Sequence, residues 1–154
     1  MIRVQAEDFD PGAELARLTE GRSDLGGIAS FVGLVRGNAA GVPLTALLLE
    51  HYPGMTERRL AALEAEARRR WPLAAVLIVH RFGRLLPGER IVLAAVAARR
   101  RGPAFDACRF IVDVLKTDVP FWKKEETQAG AAWVAASDDD ATRADRWYRR
   151  EEGR

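Results

Sequence analysis

Apolar and polar positions alternate along IRVQAE at the start of the chain, the period-two signature of a short strand. Residues 11–20 carry a helical spacing behind Asp10, a natural N-cap. GGIASFVGLVRG, residues 26–37, is β-rich with glycine at both ends, and LTALLLEHY, residues 44–52, reads as a second strand. Between them NAAGVP reads as a loop, which makes the two strands a hairpin candidate. The clearest helix is TERRLAALEAEARRRW: Thr56 is positioned to cap it, Leu60, Leu63 and Ala67 share one face, and Arg68, Arg69 and Arg70 suit the negative end of its dipole. AAVLIVHRFG and RIVLAAVAA follow as strands across a Pro87-Gly88 turn. Pro103 opens a helix reaching roughly Lys116, and Pro120 prevents its continuation. PFWKKEET and AAWVAAS then read as short strands around Ala129-Gly130. The polar stretch DDDATRADRWYRREEGR begins as a helix and frays, with Trp147 and Tyr148 as its anchors. The pattern predicts one mixed α and β domain over residues 1–137 and a partly helical polar tail over 138–154, without repeats or a dividing linker.

A chain of 154 residues can bury a single core, and 48% hydrophobic against 30% charged residues is globular composition. No apolar run approaches the roughly 20 residues of a membrane helix, and MIRVQAEDFD lacks the basic-then-apolar order of a secretory signal, so a cytoplasmic protein is expected. The one cysteine, Cys108, cannot form an intramolecular disulfide, and two histidines leave little material for a metal centre, so no metal is expected. A net charge of +2 is too small to draw nucleic acid by bulk attraction. The distribution of basic residues says more. Of the 24, 21 are Arg, and the three Lys (Lys116, Lys123 and Lys124) all fall in KTDVPFWKK. Lysine can exchange a proton when desolvated and arginine cannot, so this segment either performs amine chemistry or is a solvated basic loop.

On a wheel of about 100° per residue, Phe105, Cys108, Val112 and Leu115 form one apolar stripe and Lys116 emerges at its margin. That placement suits a reactive amine, and equally a cation meeting the last helical carbonyls. Cys108 within the stripe reads as core. Arg99, Arg100 and Arg101 precede a helix start, where an anion can be held, although such runs are more often simply solvated. Arg36 sits similarly at a strand end. His51 and His80 lie in β segments and read as structural. No nucleophile motif and no phosphate-cradling glycine motif is present.

Taken in order, GGIASFVGLVRG, LEHYPGM, HRFGRLLPGE, AFDACRFIVDVLKTDVPFWKKE and AAWVAA resemble the signature blocks of the large, catalytic subunit of molybdopterin synthase, over about residues 26–136. The resemblance implies an α+β, single-domain α/β hammerhead-type fold with a mainly antiparallel sheet. It also implies a homodimer in which each protomer binds a small ubiquitin-like sulfur-carrier subunit, making a heterotetramer. The carrier's C-terminal Gly-Gly thiocarboxylate would deliver sulfur in two rounds to cyclic pyranopterin monophosphate, forming the dithiolene of molybdopterin, with no cofactor, nucleic acid or membrane involved. By the same resemblance Lys116 and Lys123 are the catalytic lysines, Lys116 for acid–base work near the thiocarboxylate and Lys123 for phosphate or pterin contact. Arg36 contacts substrate, with Leu34 and Val35 lining the same strand end. Arg100, Arg101 and Lys124 complete the binding set, and Glu125 orients Lys123. The chain departs from the family pattern in two places: Arg100 stands where a histidine is expected before AF, and Ser137 where a basic residue is expected. The first departure leaves room for an alternative, a non-catalytic homologue that binds carrier or pterin as a scaffold; retention of both lysines counts against it. A nucleic-acid module built on Trp122 and the nearby lysines is the third reading, disfavoured by the balanced charge.

Overall fold

The chain runs β1 (Ile2–Gln5), α1 (Pro11–Thr19), β2 (Gly27–Leu34), β3 (Asn38–Ala39), β4 (Val42–Pro43), β5 (Ala46–His51), α2 (Met55–Arg70), β6 (Ala75–Arg81), β7 (Gly83–Leu85), β8 (Arg90–Ala98), α3 (Arg101–Asp118), β9 (Phe121–Thr127), β10 (Gly130–Val134) and α4 (Asp138–Arg149). This computed structural model describes residues 1–135 and 137–149; the end of the polar tail, residues 150–154, lies outside them. Two four-stranded sheets carry the fold, ordered β1-β6-β8-β2 and β10-β9-β5-β7. Their pairings are antiparallel except for β1 alongside β6. The expected α+β class with a mainly antiparallel sheet is what the chain adopts. No helix among the described residues is long and apolar enough to cross a membrane.

β8 explains why RIVLAAVAA reads as an unbroken apolar run: both of its faces are covered. Val92, Ala94, Val96 and Ala98 join a cluster with α2 and α3, while Leu93 and Ala95 join a second one with Phe9, Leu77 and Val79 beneath α1. Only Arg99 and Arg100 separate β8 from α3, so the helix doubles back along the strand it has just left. Cys108, midway along α3, donates its thiol hydrogen to the carbonyl of Ala94 (3.7 Å), midway along β8. The C-terminal turn of α3 therefore returns to the end of the sheet where β8 begins and β2 finishes. The stacking of Phe121, just beyond α3, on His80 with 3.6 Å between ring centroids fixes the same juxtaposition, since His80 pairs with Val92 of β8.

Three expectations change. Residues 27–34 and 46–51 do not form a hairpin; β2 pairs with β8 and β5 with β7 and β9. The turn is consumed by a small β3–β4 ribbon, whose Ala40 and Gly41 both adopt positive φ (49° and 82°), as a tight hairpin turn requires. The rest of the connection carries the chain from one sheet to the other. Thr56 is not the cap of α2. Gly54 occupies that position, its N–H donating to the Glu57 carboxylate (2.6 Å), while the buried Thr56 hydroxyl accepts from the Tyr52 N–H and donates to the Pro120 carbonyl. Phe105 is 64% exposed and so does not belong to the buried stripe of α3. The buried side is centred on Ala104, Ala107, Cys108, Ile111, Val114 and Leu115, where small residues let the helix approach the alanines of β8.

The polar tail does more than fray. Over its described residues it forms α4, held against α3 and α2 by one aromatic anchor. Trp147 packs edge-on to Trp71 and Phe110, and its indole N–H donates to Asp113 (2.9 Å). Arg146 also bonds the Asp113 carboxylate (2.5 Å), and the Tyr148 hydroxyl donates to Asp118 (3.2 Å). This docking brings the first turn of α4 beside the last turn of α3.

Candidate active site

Lys116 leaves that last turn of α3 with its side chain half exposed, and its ammonium lies 3.5 Å from Oδ1 of Asp140 in α4. Lys123 projects from β9, opposite Leu49 of β5 and Val134 of β10. Partial burial works against the Asp140 charge, but the Ser137 hydroxyl, the Lys116 ammonium and the charge of Lys123 together hold its carboxyl below the usual carboxylate value. Both lysines thus act on one carboxylate. Asp140 is absent from the residues that the sequence singles out: in a run of three aspartates nothing local distinguishes it from a solvated charge.

Arg36 follows β2 at the same end of the first sheet, exposed and without an ionic partner among the described residues. Arg100 and Arg101 are likewise exposed and unpaired, whereas Arg22, Arg68, Arg81, Arg84 and Arg90 all meet carboxylates. Uncompensated guanidinium groups are the ones available to an external anion. Arg100 and Arg101 stand at the opposite end of α3, however, about 22–24 Å from Lys116 at 1.5 Å per helical residue. Within one chain the candidate residues form two groups.

The remaining candidates divide by strand alternation. Leu34 is 54% exposed at the strand end, but Val35 is 4% exposed, packed with Leu47, Leu49 and Leu85. Its N–H and carbonyl are engaged by Glu89 and Gly88, so Val35 fixes the backbone from which Arg36 emerges. Glu125 shares the face of Lys123, although no hydrogen bond or ion pair joins them among the described residues. Lys124 points to the other face, with its ammonium 5.4 Å from the Trp133 ring centroid. Two surface clefts lie elsewhere. One of about 640 Å³ is lined by residues including Gly26, Leu73 and Arg99, and one of about 580 Å³ by Arg109, Arg146 and Trp147 among others. Neither includes Lys116 or Lys123, which occupy open surface in the single chain.

Cys108 and His80 are core groups. Burial pushes the Cys108 thiol up to about 11, unsuited to nucleophilic attack near neutrality. His80 is stacked on Phe121, and its Nδ1–H donates to the Arg81 carbonyl (2.8 Å), which fixes the tautomer. Burial lowers its imidazole from 6.5 to about 4, outweighing that carbonyl bond. The unfolded histidine takes a proton below pH 6.5 while the folded one resists until about 4, so stability is complete above 6.5 and is lost through that window. The loss amounts to roughly 3 kcal/mol. Denaturant titrations from pH 7 to 4 should show this decline in the wild type and a clearly shallower slope in His80→Gln.

Among the described residues no three His, Cys, Asp or Glu side chains gather as metal ligands. The profile of the MoaE protein family matches residues 4–118. A molybdopterin synthase catalytic subunit of Ralstonia nicotianae is 51% identical over 146 residues, covering 95% of this chain and 83% of the relative. The subunit of that name in Escherichia coli is 47% identical over 146 residues, covering 95% and 97%. Among solved structures, a molybdopterin biosynthesis MoaE protein from Burkholderia ambifaria superposes with a TM-score of 0.81 at 51% identity, covering 96% of this chain and 97% of the other. Molybdopterin synthase from Staphylococcus aureus gives 0.79 at 32% identity, covering 86% and 96%.

Proposed function

Since the chain belongs to the MoaE protein family, we propose that it works as the catalytic subunit of a molybdopterin synthase, through a cationic site completed by a second copy of itself. It transfers sulfur from the C-terminal thiocarboxylate of a small carrier subunit to cyclic pyranopterin monophosphate. A dithiolene holds two sulfurs and each carrier brings one, so two loaded carriers are spent per product. A Gly-Gly tail suits this delivery: without side chains it can thread between protomers and present its end to a fixed amine.

The observation that supports the site most is the Lys116–Asp140 ion pair, on a carboxylate that also feels the charge of Lys123, at the end of α3 where β2 delivers Arg36. Lys116 handles the proton traffic of sulfur transfer. Lys123 and Arg36 stabilise the charge that develops as the cyclic phosphate opens, from positions fixed beforehand. Arg100 and Arg101 cannot reach that phosphate from their own protomer. A two-fold axis that sets the start of one α3 against the end of its partner's α3 supplies them, and it covers the exposed Leu34 and Phe105. In such a site Arg100 replaces a histidine as a hydrogen-bond donor to an anion, a role that requires no proton exchange. The thiol of Cys108, buried and unpaired, fits the reducing cytoplasm in which we place the enzyme.

A scaffold would bind carrier and convert nothing. Purified protein mixed with thiocarboxylated carrier and cyclic pyranopterin monophosphate is expected to form the dithiolene. Carrier binding without product, where the Escherichia coli relative turns over, would overturn the enzymatic reading.

A further inference from the structure

We infer that Asp140, in the first turn of α4, is a positioning residue that fixes the Lys116 ammonium for sulfur transfer; the inference rests on the role proposed for Lys116. A lysine at a helix end has a flexible four-carbon stem, and half of this side chain is in solvent. Chemistry at a fixed distance requires that freedom to be removed before substrate arrives. Asp140 is equipped to do it. Its Oδ2 accepts from the Ser137 hydroxyl (2.8 Å), while its own N–H donates to the Ser137 Oγ (3.2 Å), which leaves Oδ1 aimed at Lys116. The Asp140 side chain is 19% exposed, against 50% for Lys116, so the carboxylate is the better-held partner of the pair.

The base of this arm is rigid as well. α4 cannot drift from α3 while Trp147 and Arg146 bind Asp113. Asp140 meets the ammonium from one side only, as an ion pair at 3.5 Å, and leaves the rest of it open to thiocarboxylate or phosphate oxygens. The carboxylate stays ionised because the Ser137 bond and the two lysine charges outweigh its partial burial. A partly exposed pair of this kind contributes little to stability, which separates a positioning role from a structural one.

Single-turnover sulfur transfer and thermal melting of Asp140→Asn, Asp140→Glu, Lys116→Ala and wild type test the inference. Asn preserves the shape and the Ser137 bond but removes the charge. Its rate at saturating carrier and pterin should fall roughly 10- to 100-fold, with carrier affinity and pterin KM within about threefold and Tm within a few degrees of wild type. Asp140→Glu should recover most of the rate. Asp140→Asn at the wild-type rate, with Lys116→Ala inactive, would overturn this inference alone. A loss that Asp140→Glu shares, together with a lowered Tm, would reduce Asp140 to a helix cap and also overturn it. A wild type without turnover would instead remove the reading beneath it.

Discussion

Lys116→Ala should slow dithiolene formation by about 10²- to 10⁴-fold, the range expected when a positioned proton-transfer group is lost. The fold has little reason to notice. The side chain is half exposed and its ion pair with Asp140 is of the surface kind, worth about 0–1 kcal/mol. A specific subunit interface buries about 800 Å² per partner, far more than one amine supplies, so carrier binding should persist. The deficit therefore appears in the single-turnover rate at saturating carrier and pterin, with Tm and carrier affinity nearly unchanged. Lys116→Arg refines the result: a guanidinium keeps the charge but does not exchange protons near neutral pH. If Lys116 moves a proton, Arg stays close to Ala; if it only supplies charge, Arg recovers most of the rate. Activity of Lys116→Ala within tenfold of wild type would contradict the assignment.

The elements of the fold were largely legible because they rest on local patterns. Strand alternation, the Asp10 cap, which bonds the N–H groups of Gly12 and Ala13, and the proline stop at residue 120 all act within a few residues. Pairing was less legible. Nothing local in residues 26–52 says that β2 and β5 lie in different sheets, because that choice depends on β8 and β9 much later in the chain. Phe105 misled for a related reason: a helical wheel gives relative angles but not which side a sheet will cover, and the small Ala104 and Ala107 decided it. The unusual grouping of the lysines pointed to the candidate site, and the roles proposed within it come from the family resemblance. Asp140 was obscured because its meaning comes from the docking of α4 through Trp147, a tertiary event. The separation of Arg100 from Lys116 follows from one number, the rise of a helix, once α3 is known to be continuous from Arg101 to Asp118.

That separation yields the second large expected effect. Arg101→Ala should reduce sulfur transfer by about 10²-fold or more, as removal of a fixed donor to developing negative charge does, although Arg101 stands about 22 Å from Lys116 along its own helix. Its guanidinium is exposed and unpaired among the described residues, so the loss should come without a change in stability. The decisive measurement mixes the two variants. When Lys116→Ala and Arg101→Ala chains are co-expressed and pair at random, half of the dimers are mixed. A site built from both protomers leaves each mixed dimer with one intact centre and one doubly damaged centre, so activity should return to about a quarter of wild type. A mixture that forms mixed dimers yet remains as inactive as its parents would show that the two residues serve the same chain's chemistry, and would contradict a shared site.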